Sequence, residues 1–156
     1  MLFLIQHGEA MSEAEHPERP LTPRGRAEVQ YVAELLARSS MPRPRDIWHS
    51  GKRRAAETAH IMTQALAPAA SVQAVEGLMP NDDVQPMAHR LCRASDDLMI
   101  VGHLPFLSRL TSLLVAGQEE PALVRFRMGG VVALDRENER WVIVAVVTPE
   151  LVRLDM

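Results

Sequence analysis

The sequence predicts a three-layer α/β/α fold with a mostly parallel central sheet. Strand-like and helix-like segments alternate along the chain, and several strands are continuous apolar runs, which is typical of strands covered on both faces. Four successive strand–helix units predict parallel strands with helices packed on both sides. We expect residues 1–156 to form one domain, because this length is near the common domain size and no linker or repeat interrupts it.

The first half of the chain provides three of the predicted strands. Residues 1–5 are apolar throughout and predict the first strand. Thr22 and Pro23 predict the start of a helix, with Thr as the N-cap and Pro as the first helical residue. Residues 46–49 predict a second strand, and residues 71–75 predict a weaker third strand. Apolar residues at helical spacing predict a helix between them: Ala55, Ala59, Met62 and Leu66.

The second half adds two helices, a buried strand and a hairpin. Apolar side chains recur at helical spacing through residues 84–92, and residues 98–102 form another apolar run. Pro105 predicts the beginning of a leucine-rich helix. Residues 131–147 predict a β-hairpin, with strands at 131–134 and 141–147 joined by a polar turn.

Composition limits the possible function classes. Seventeen basic and 20 acidic residues give a formal net charge of -3, which does not favour nucleic acid or an anionic membrane as partner. The single cysteine, Cys92, excludes an internal disulfide, and its place on an apolar helix stripe predicts a small buried side chain. The N-terminal apolar run is too short for a signal peptide or a membrane span. We therefore expect a cytoplasmic protein.

Ionisable side chains collect where the predicted strands end. His7 follows the first strand, Arg54 lies in the helix after the second, Glu76 follows the third, and His103 follows the fourth. Ligands of open α/β sheets bind outside the carboxyl ends of the strands, and a helix N-terminus near Pro105 favours an anion there. Two histidines, an arginine and a helix N-terminus predict a phosphate-binding crevice.

His7 is the candidate nucleophile of this crevice. Neutral imidazole can form a covalent intermediate, and Gly8 beside it permits close approach of the backbone. Charge that develops on a transferred phosphoryl group would be stabilised by Arg54, His103 and backbone amides.

Four segments of the sequence resemble motifs of one known family. Gln6-His7-Gly8 resembles the Arg-His-Gly signature of the histidine phosphatase superfamily, and residues 21–25 are similar to the opening of its first helix. Residues 50–59 and 101–105 are similar to its second-arginine and second-histidine elements. The resemblance covers residues 1 to about 115 in order, and the short chain and residues 103–105 resemble the SixA-type phosphohistidine phosphatases.

This resemblance implies a fold and a mechanism. The fold is the phosphoglycerate mutase-like one, and the mechanism passes a phosphoryl group to His7 while Arg54 and His103 hold its oxygens. The substrate would be phosphohistidine on a phosphotransfer or signalling protein, with inorganic phosphate as product. The resemblance implies no metal or organic cofactor, and the sequence has no zinc-like CxxC or HExxH spacing.

One residue departs from the motif. Gln6 stands where the family has arginine, so a neutral amide replaces a charge-assisted contact that is about twice as strong as a neutral one. An amide can still donate to a phosphoryl oxygen. We expect phosphate binding by Gln6 to be weakened or retuned, and not lost.

The general acid is left open by the sequence. Glu76, Asp82 and Asp83 are candidates; Asp83 best matches the SixA-type pattern but can equally cap the following helix. An alkoxide leaving group needs such an acid, whereas imidazole, with a pKa of about 6.5, leaves readily. Two alternatives therefore stand beside the phosphohistidine phosphatase: a phosphomonoesterase for a small metabolite, and a catalytically weak phosphate-binding module.

Neighbouring polar residues have less specific expectations. Ser50 is expected to cap a helix, and Lys52 and Arg53 to be solvent-facing or rim charges. Glu9 is expected to orient His7, to lie at the rim of the pocket or simply to be exposed.

Overall fold

The computed structural model describes residues 1–152, so the last four residues of the predicted domain lie outside the described part. A mixed six-stranded sheet forms the middle layer in the order β3-β2-β4-β1-β5-β6. The strands are β1 (Leu2–Gln6), β2 (Asp46–His49), β3 (Ser71–Ala74), β4 (Leu98–Gly102), β5 (Val131–Glu137) and β6 (Arg140–Val147). The helices are α1 (Pro23–Arg38), α2 (Arg53–Leu66), α3 (Gln85–Arg93), α4 (Phe106–Ala116) and α5 (Pro149–Val152).

The predicted fold class is confirmed, including its mixture of strand directions. β3, β2, β4 and β1 are parallel, whereas β5 and β6 add to β1 as an antiparallel hairpin. In the parallel register Gln6 lies opposite Gly102, and His49 lies opposite Val101. The carboxyl ends of the three central strands therefore meet at one edge of the sheet.

The alternation of side chains along β1 explains its continuous apolar sequence. Phe3 and Ile5 point into a core that includes α1 and α2, while Leu2 and Leu4 point into a second core that includes α3 and α4. All four side chains are at most 1% exposed. Because both faces are covered, residues 2–5 are all apolar, and the first polar side chain is Gln6 at the last position of the strand.

The start of α1 fixes the loop that follows β1. Thr22 is the N-cap, as predicted, and its hydroxyl accepts a hydrogen bond from the Gly25 amide at 2.9 Å. The Thr22 hydroxyl also donates to the Glu9 carboxylate at 2.9 Å. A side chain at Gly25 would collide with the Glu9 backbone, so the glycine allows α1 to pack directly on this loop.

The prediction that Cys92 is buried is wrong. α3 buries Met87, Ala88 and Leu91, but Cys92 is exposed. Eight residues after Val84 a helix has turned about 80° away from its starting direction, so Cys92 lies beyond the narrow stripe that contacts the core.

Two element boundaries also differ from the sequence predictions. The hairpin strands extend further than predicted and leave only Asn138 and Glu139 in the turn, with φ of 51° and 67°. Such positive values suit the two-residue turns that match the twist of a hairpin. Within residues 1–152 no helix is long and apolar enough to cross a membrane.

Candidate active site

The carboxyl ends of β1 and β4 bring the two predicted histidines together. The His7 amide donates to the Gly102 carbonyl at 3.0 Å, which continues the sheet pairing one residue beyond β1. The imidazole rings of His7 and His103 are 5.0 Å apart between centroids and tilted by 53°. Both side chains are buried, with 9% and 2% exposed.

The tautomer of His7 follows from its hydrogen bond. Nδ1 lies 2.8 Å from the Gly8 carbonyl oxygen, and a carbonyl can only accept, so Nδ1 carries the proton. Nε2 therefore holds the lone pair of the neutral ring. Burial lowers the pKa of His7 to about 4; the Gly8 bond opposes this, and the charges of Arg54 and Arg19 add to it. His7 is thus neutral near pH 7, which is the nucleophilic form.

Gly8 and Thr58 connect the loop after β1 to α2. The Gly8 amide donates to the Thr58 hydroxyl at 3.0 Å, and that hydroxyl donates to the Arg54 carbonyl at 2.8 Å. A side chain at Gly8 would press against Val29 of α1. Glycine therefore permits tight packing here, and its amide is already donated within the protein. A direct contact of Gly8 with phosphate stays a prediction.

Ser50 is the hydrogen-bond partner of His103. The Ser50 oxygen accepts from the Lys52 amide at 3.3 Å and lies 2.6 Å from His103 Nε2. When the hydroxyl donates to Nε2, the ring proton lies on Nδ1; when Nε2 carries the proton, it donates to the hydroxyl oxygen. That Nδ1 is buried and has no partner in the structure. Burial lowers the pKa of His103 to about 3, with a further lowering by the charges of His7 and Arg54.

Unpartnered polar atoms concentrate at this edge of the sheet. Among residues 1–152, four buried side-chain polar atoms have no hydrogen-bond partner, and three of them are Gln6 Oε1, Arg54 Nε and His103 Nδ1. Buried polar groups are almost always paired. Burial, followed by the charge of Arg19, lowers the pKa of Arg54. Gln6 Oε1 can only accept a hydrogen bond, so the donors that this cluster offers to a tetrahedral anion are the Arg54 Nε–H and, when it carries the ring proton, His103 Nδ1.

Two grooves flank the histidines. One, of about 660 Å³, is lined by Arg54 together with Arg19 and Lys52. The other, of about 310 Å³, is lined by Ser50, Glu76 and further residues of the loop after β3. His103 is hydrogen-bonded to Ser50, which lines the second groove. The charge of Arg54, which lines the first groove, contributes to the lowered pKa of both histidines.

The three candidate acids lie in different surroundings. The Asp83 carboxylate accepts from the Gln85 amide at 3.0 Å at the start of α3, and Asp82 accepts from the Met79 amide at 2.9 Å. The expectation that Asp83 caps α3 is wrong, because Val84 occupies the N-cap position and Asp83 bonds the first turn from the residue before it. Glu76 is exposed, and it lines the groove that contains Ser50.

Three residues of the site escaped sequence reasoning. Ser50 is not the predicted helix cap, because Lys52 occupies the N-cap position of α2 and the Ser50 hydroxyl faces His103. Arg19 gave no signal apart from its place in a loop. Thr58 is a wholly buried hydroxyl, and such a residue in an apolar helix stripe is the one sequence feature that points to a polar partner.

The remaining polar neighbours have structural contacts. Arg53 is exposed and forms ion pairs with Glu18 at 2.6 Å and Glu57 at 3.2 Å. The Glu9 carboxylate bonds Thr22 and orients the loop, not the His7 ring. Residues 1–152 contain no group of three or more His, Cys, Asp or Glu side chains arranged to hold a metal ion.

Comparison with known families decides the relationship. The model of the histidine phosphatase superfamily (branch 1) matches residues 2–80, about half of the chain. The chain belongs to the histidine phosphatase superfamily. A comparison with curated protein sequences finds no match.

Solved structures show how widely the histidine phosphatase fold of this chain is shared. The protein histidine phosphatase SixA complexed with tungstate is similar with a TM-score of 0.84 and 22% identity, over 97% of this chain and 99% of that one. The alpha-ribazole phosphatase from Shigella flexneri has a TM-score of 0.74 and 18% identity, over 95% and 96%. Phosphoserine phosphatase from Entamoeba histolytica has a TM-score of 0.71 and 16% identity, over 94% and 96%. At such identities the likeness establishes the fold.

Proposed function

We propose that the chain is a phosphatase that removes the phosphoryl group of phosphohistidine on a protein through a phospho-His7 intermediate. The observation that carries this proposal is the hydrogen bond from His7 Nδ1 to the Gly8 carbonyl. It leaves the Nε2 lone pair of a neutral ring beside Arg54 and His103, whose own polar atoms lack partners.

The reaction has two steps. His7 Nε2 attacks the phosphorus, a P–Nε2 bond forms, and the substrate P–N bond breaks to release a neutral imidazole from its protonated phosphohistidine form. Water then attacks the phosphorus of phospho-His7, inorganic phosphate leaves, and His7 recovers its lone pair. Arg54 and the Nδ1–H of His103 would stabilise the charge on the equatorial oxygens. No step requires a metal.

The placement of the carboxylates supports a leaving group that needs little acid catalysis. Asp82 and Asp83 are bound to backbone amides of their own loop. Glu76 is exposed at the groove margin. Imidazole has a pKa of about 6.5 and leaves without a strong proton donor, whereas an alkoxide does not. The similarity to SixA, which its structure describes as a protein histidine phosphatase, supports the same substrate class.

The experiment offers a phosphohistidine-bearing protein and a generic phosphomonoester to the wild type and to His7→Ala. We expect turnover of the phosphohistidine protein by the wild type, no turnover by His7→Ala, and a ³²P label on the wild type that survives base and is lost in acid. Turnover that persists in His7→Ala refutes the nucleophile. Loss of activity on adding a chelator contradicts a metal-free reaction.

A phosphomonoesterase is the second candidate, and Glu76 is the observation that favours it. Glu76 shares its groove with Ser50, which is bonded to His103, so an ester oxygen near His103 lies in the direction of this carboxylate. If the substrate is an ester, Glu76→Gln lowers its turnover strongly and leaves phosphohistidine hydrolysis unchanged.

Phosphate binding without turnover of either substrate favours the catalytically weak module that Gln6 suggests.

A further inference from the structure

Arginines near the site differ in how their charge is compensated. Arg24 pairs with Glu28, and Arg26 and Arg53 pair with Glu57. Arg19 and Arg54 form no ion pair with any carboxylate in residues 1–152. Both line the same groove, in which Glu18 is paired with Arg53 and Glu13 is a further carboxylate. An uncompensated pair of guanidinium groups, one of which has a buried Nε without a partner, is suited to an anion of more than one negative charge.

The loop that carries Arg19 is built to hold it. Arg19 is half-buried and has a φ of 50°, which is unusual for a residue other than glycine. Its amide donates to the His16 carbonyl at 3.0 Å, and its Nε donates to the Met11 carbonyl at 3.0 Å. The Met11 amide donates in turn to the Pro20 carbonyl at 2.8 Å. Backbone strain and these bonds fix the guanidinium by one edge, and its two terminal nitrogens are left for other partners.

The charge of Arg19 reaches the reacting groups. It contributes, together with larger causes, to the lowered pKa values of His7, Arg54 and His103. The geometric link to the site is the groove that Arg19 shares with Arg54. Gln6 places a neutral amide at the end of β1, where the family motif has a cation.

We propose that Arg19 is a second phosphate-binding cation, which supplies from the loop after β1 the positive charge that is missing at Gln6. Arg19 would contact the phosphoryl oxygens of bound phosphate and of the substrate together with Arg54. The proposal rests on phosphate being the group bound beside His7, and it adds a binding residue to the proposed function.

The test measures the dissociation constant of inorganic phosphate and kcat/KM for the phosphohistidine-bearing protein in four forms: wild type, Arg19→Gln, Gln6→Arg and the double variant. We expect Arg19→Gln to weaken phosphate binding roughly 10- to 100-fold, as for loss of a charged hydrogen bond. In the Gln6→Arg background we expect the same substitution to cost only a few-fold, since the two positions replace each other. Arg45→Gln, at the opposite end of β2, makes the same change of net charge and should leave both constants unchanged.

The outcomes separate this proposal from the proposed function. If the wild type turns over phosphohistidine and Arg19→Gln matches it in phosphate affinity, the role of Arg19 is refuted and the phosphatase stands. If Arg19→Gln binds phosphate much more weakly than the wild type, but the wild type does not hydrolyse phosphohistidine, the phosphate-binding role of Arg19 is supported and the phosphatase activity is refuted. A wild type that binds no phosphate refutes both.

A measurement on the unaltered protein guards against misfolding of the variant. Phosphate added to the wild type should shift the Nε–H resonance of Arg19 in a ¹⁵N spectrum with the same midpoint as the shift of the Gly8 amide. Absence of a shift at Arg19 while phosphate binds would also refute the contact.

Discussion

The amino and carboxyl ends of the central strands differ in whether their charged groups form ion pairs. At the amino ends, the N-terminal ammonium group pairs with Asp97 at 2.6 Å and Arg45 pairs with Asp96 at 3.3 Å. At the carboxyl ends, Arg54 and His103 keep buried polar atoms without partners, and no carboxylate of residues 1–152 pairs with Arg54. The same strands therefore end in a compensated edge and an uncompensated one.

This difference indicates which edge is maintained for binding. Each buried polar group without a partner costs about 1–3 kcal/mol of stability. Fold stability alone favours the arrangement at the amino ends, where the N-terminal ammonium group and Arg45 each have a carboxylate partner. A bound anion from outside the protein would supply the partners that the uncompensated edge lacks.

The largest effect is expected from His7→Asn. The Asn amide can still donate to the Gly8 carbonyl, so the loop keeps its hydrogen bond, but no ring nitrogen is left to attack phosphorus. We expect turnover of phosphohistidine to fall by at least about a thousandfold. Thermal unfolding should be within a few degrees of the wild type. A covalently labelled phosphoenzyme in His7→Asn contradicts the assignment.

A smaller loss of kcat/KM is expected from Arg54→Gln, and Arg45→Gln at the opposite edge of the sheet is its control. Removing a cation that stabilises the transferred phosphoryl group should lower kcat/KM by about a hundredfold. Arg45 is exposed and far from the site, and exposed ion pairs contribute at most about 1 kcal/mol, so Arg45→Gln should affect only stability and only slightly. Equal kcat/KM for the two variants would remove the distinction between the edges.

Much of the uncompensated edge could be predicted from sequence, because it depends on strand ends. A buried strand has no room for polar residues, so the first ionisable residue after it marks the edge of the sheet. This reasoning brought His7 and His103 together, and the structure places their rings 5.0 Å apart. Arg54 followed because α2 begins just after β2.

What could not be predicted depends on distances between segments that are remote in sequence. Ser50 and His103 are 53 residues apart, and only the parallel pairing of β2 with β4 shows that the hydroxyl reaches Nε2. The charge of Arg19 depends on the path of an irregular loop. Cys92 was misassigned because spacing gives the direction of a side chain but not the width of the contact beneath it.

The protonation of the two buried histidines predicts a specific dependence of stability on pH. Above the ordinary pKa of 6.5, neither the folded nor the unfolded chain holds these protons. As the pH falls from 6.5 towards 4, the unfolded chain takes up protons that His7 and His103 cannot accept when folded. The free energy of unfolding should therefore decrease over this range. Its slope against pH should correspond to the uptake of up to about two protons on unfolding.

Urea unfolding at a series of pH values tests this slope. His7→Asn should reduce the slope by about one proton, because the substituted residue does not titrate. Added phosphate should raise the free energy of unfolding most at the pH values at which it binds the folded site. A slope that is the same in the wild type and in His7→Asn would show that His7 titrates normally in the folded protein.

The smallest effect is expected from Ser50→Ala, which removes the hydroxyl that orients His103. The ring would keep its place but lose its hydrogen bond at Nε2. One hydrogen bond is worth about 1 kcal/mol, so we expect kcat/KM to fall about five- to tenfold. Ser50→Thr keeps a hydroxyl and should restore most of the loss.

Ser39→Ala is the matched control for Ser50→Ala. Ser39 also donates its hydroxyl in a short bond, to the Leu36 carbonyl at 2.7 Å, but at the end of α1 and away from the histidines. It should lower stability without changing kcat/KM. The ¹⁵N shifts of the His103 ring give the deciding readout, because Ser50→Ala should mix its two neutral tautomers and Ser39→Ala should not. If both variants leave those shifts alone, Ser50 merely packs beside the ring and does not set its proton.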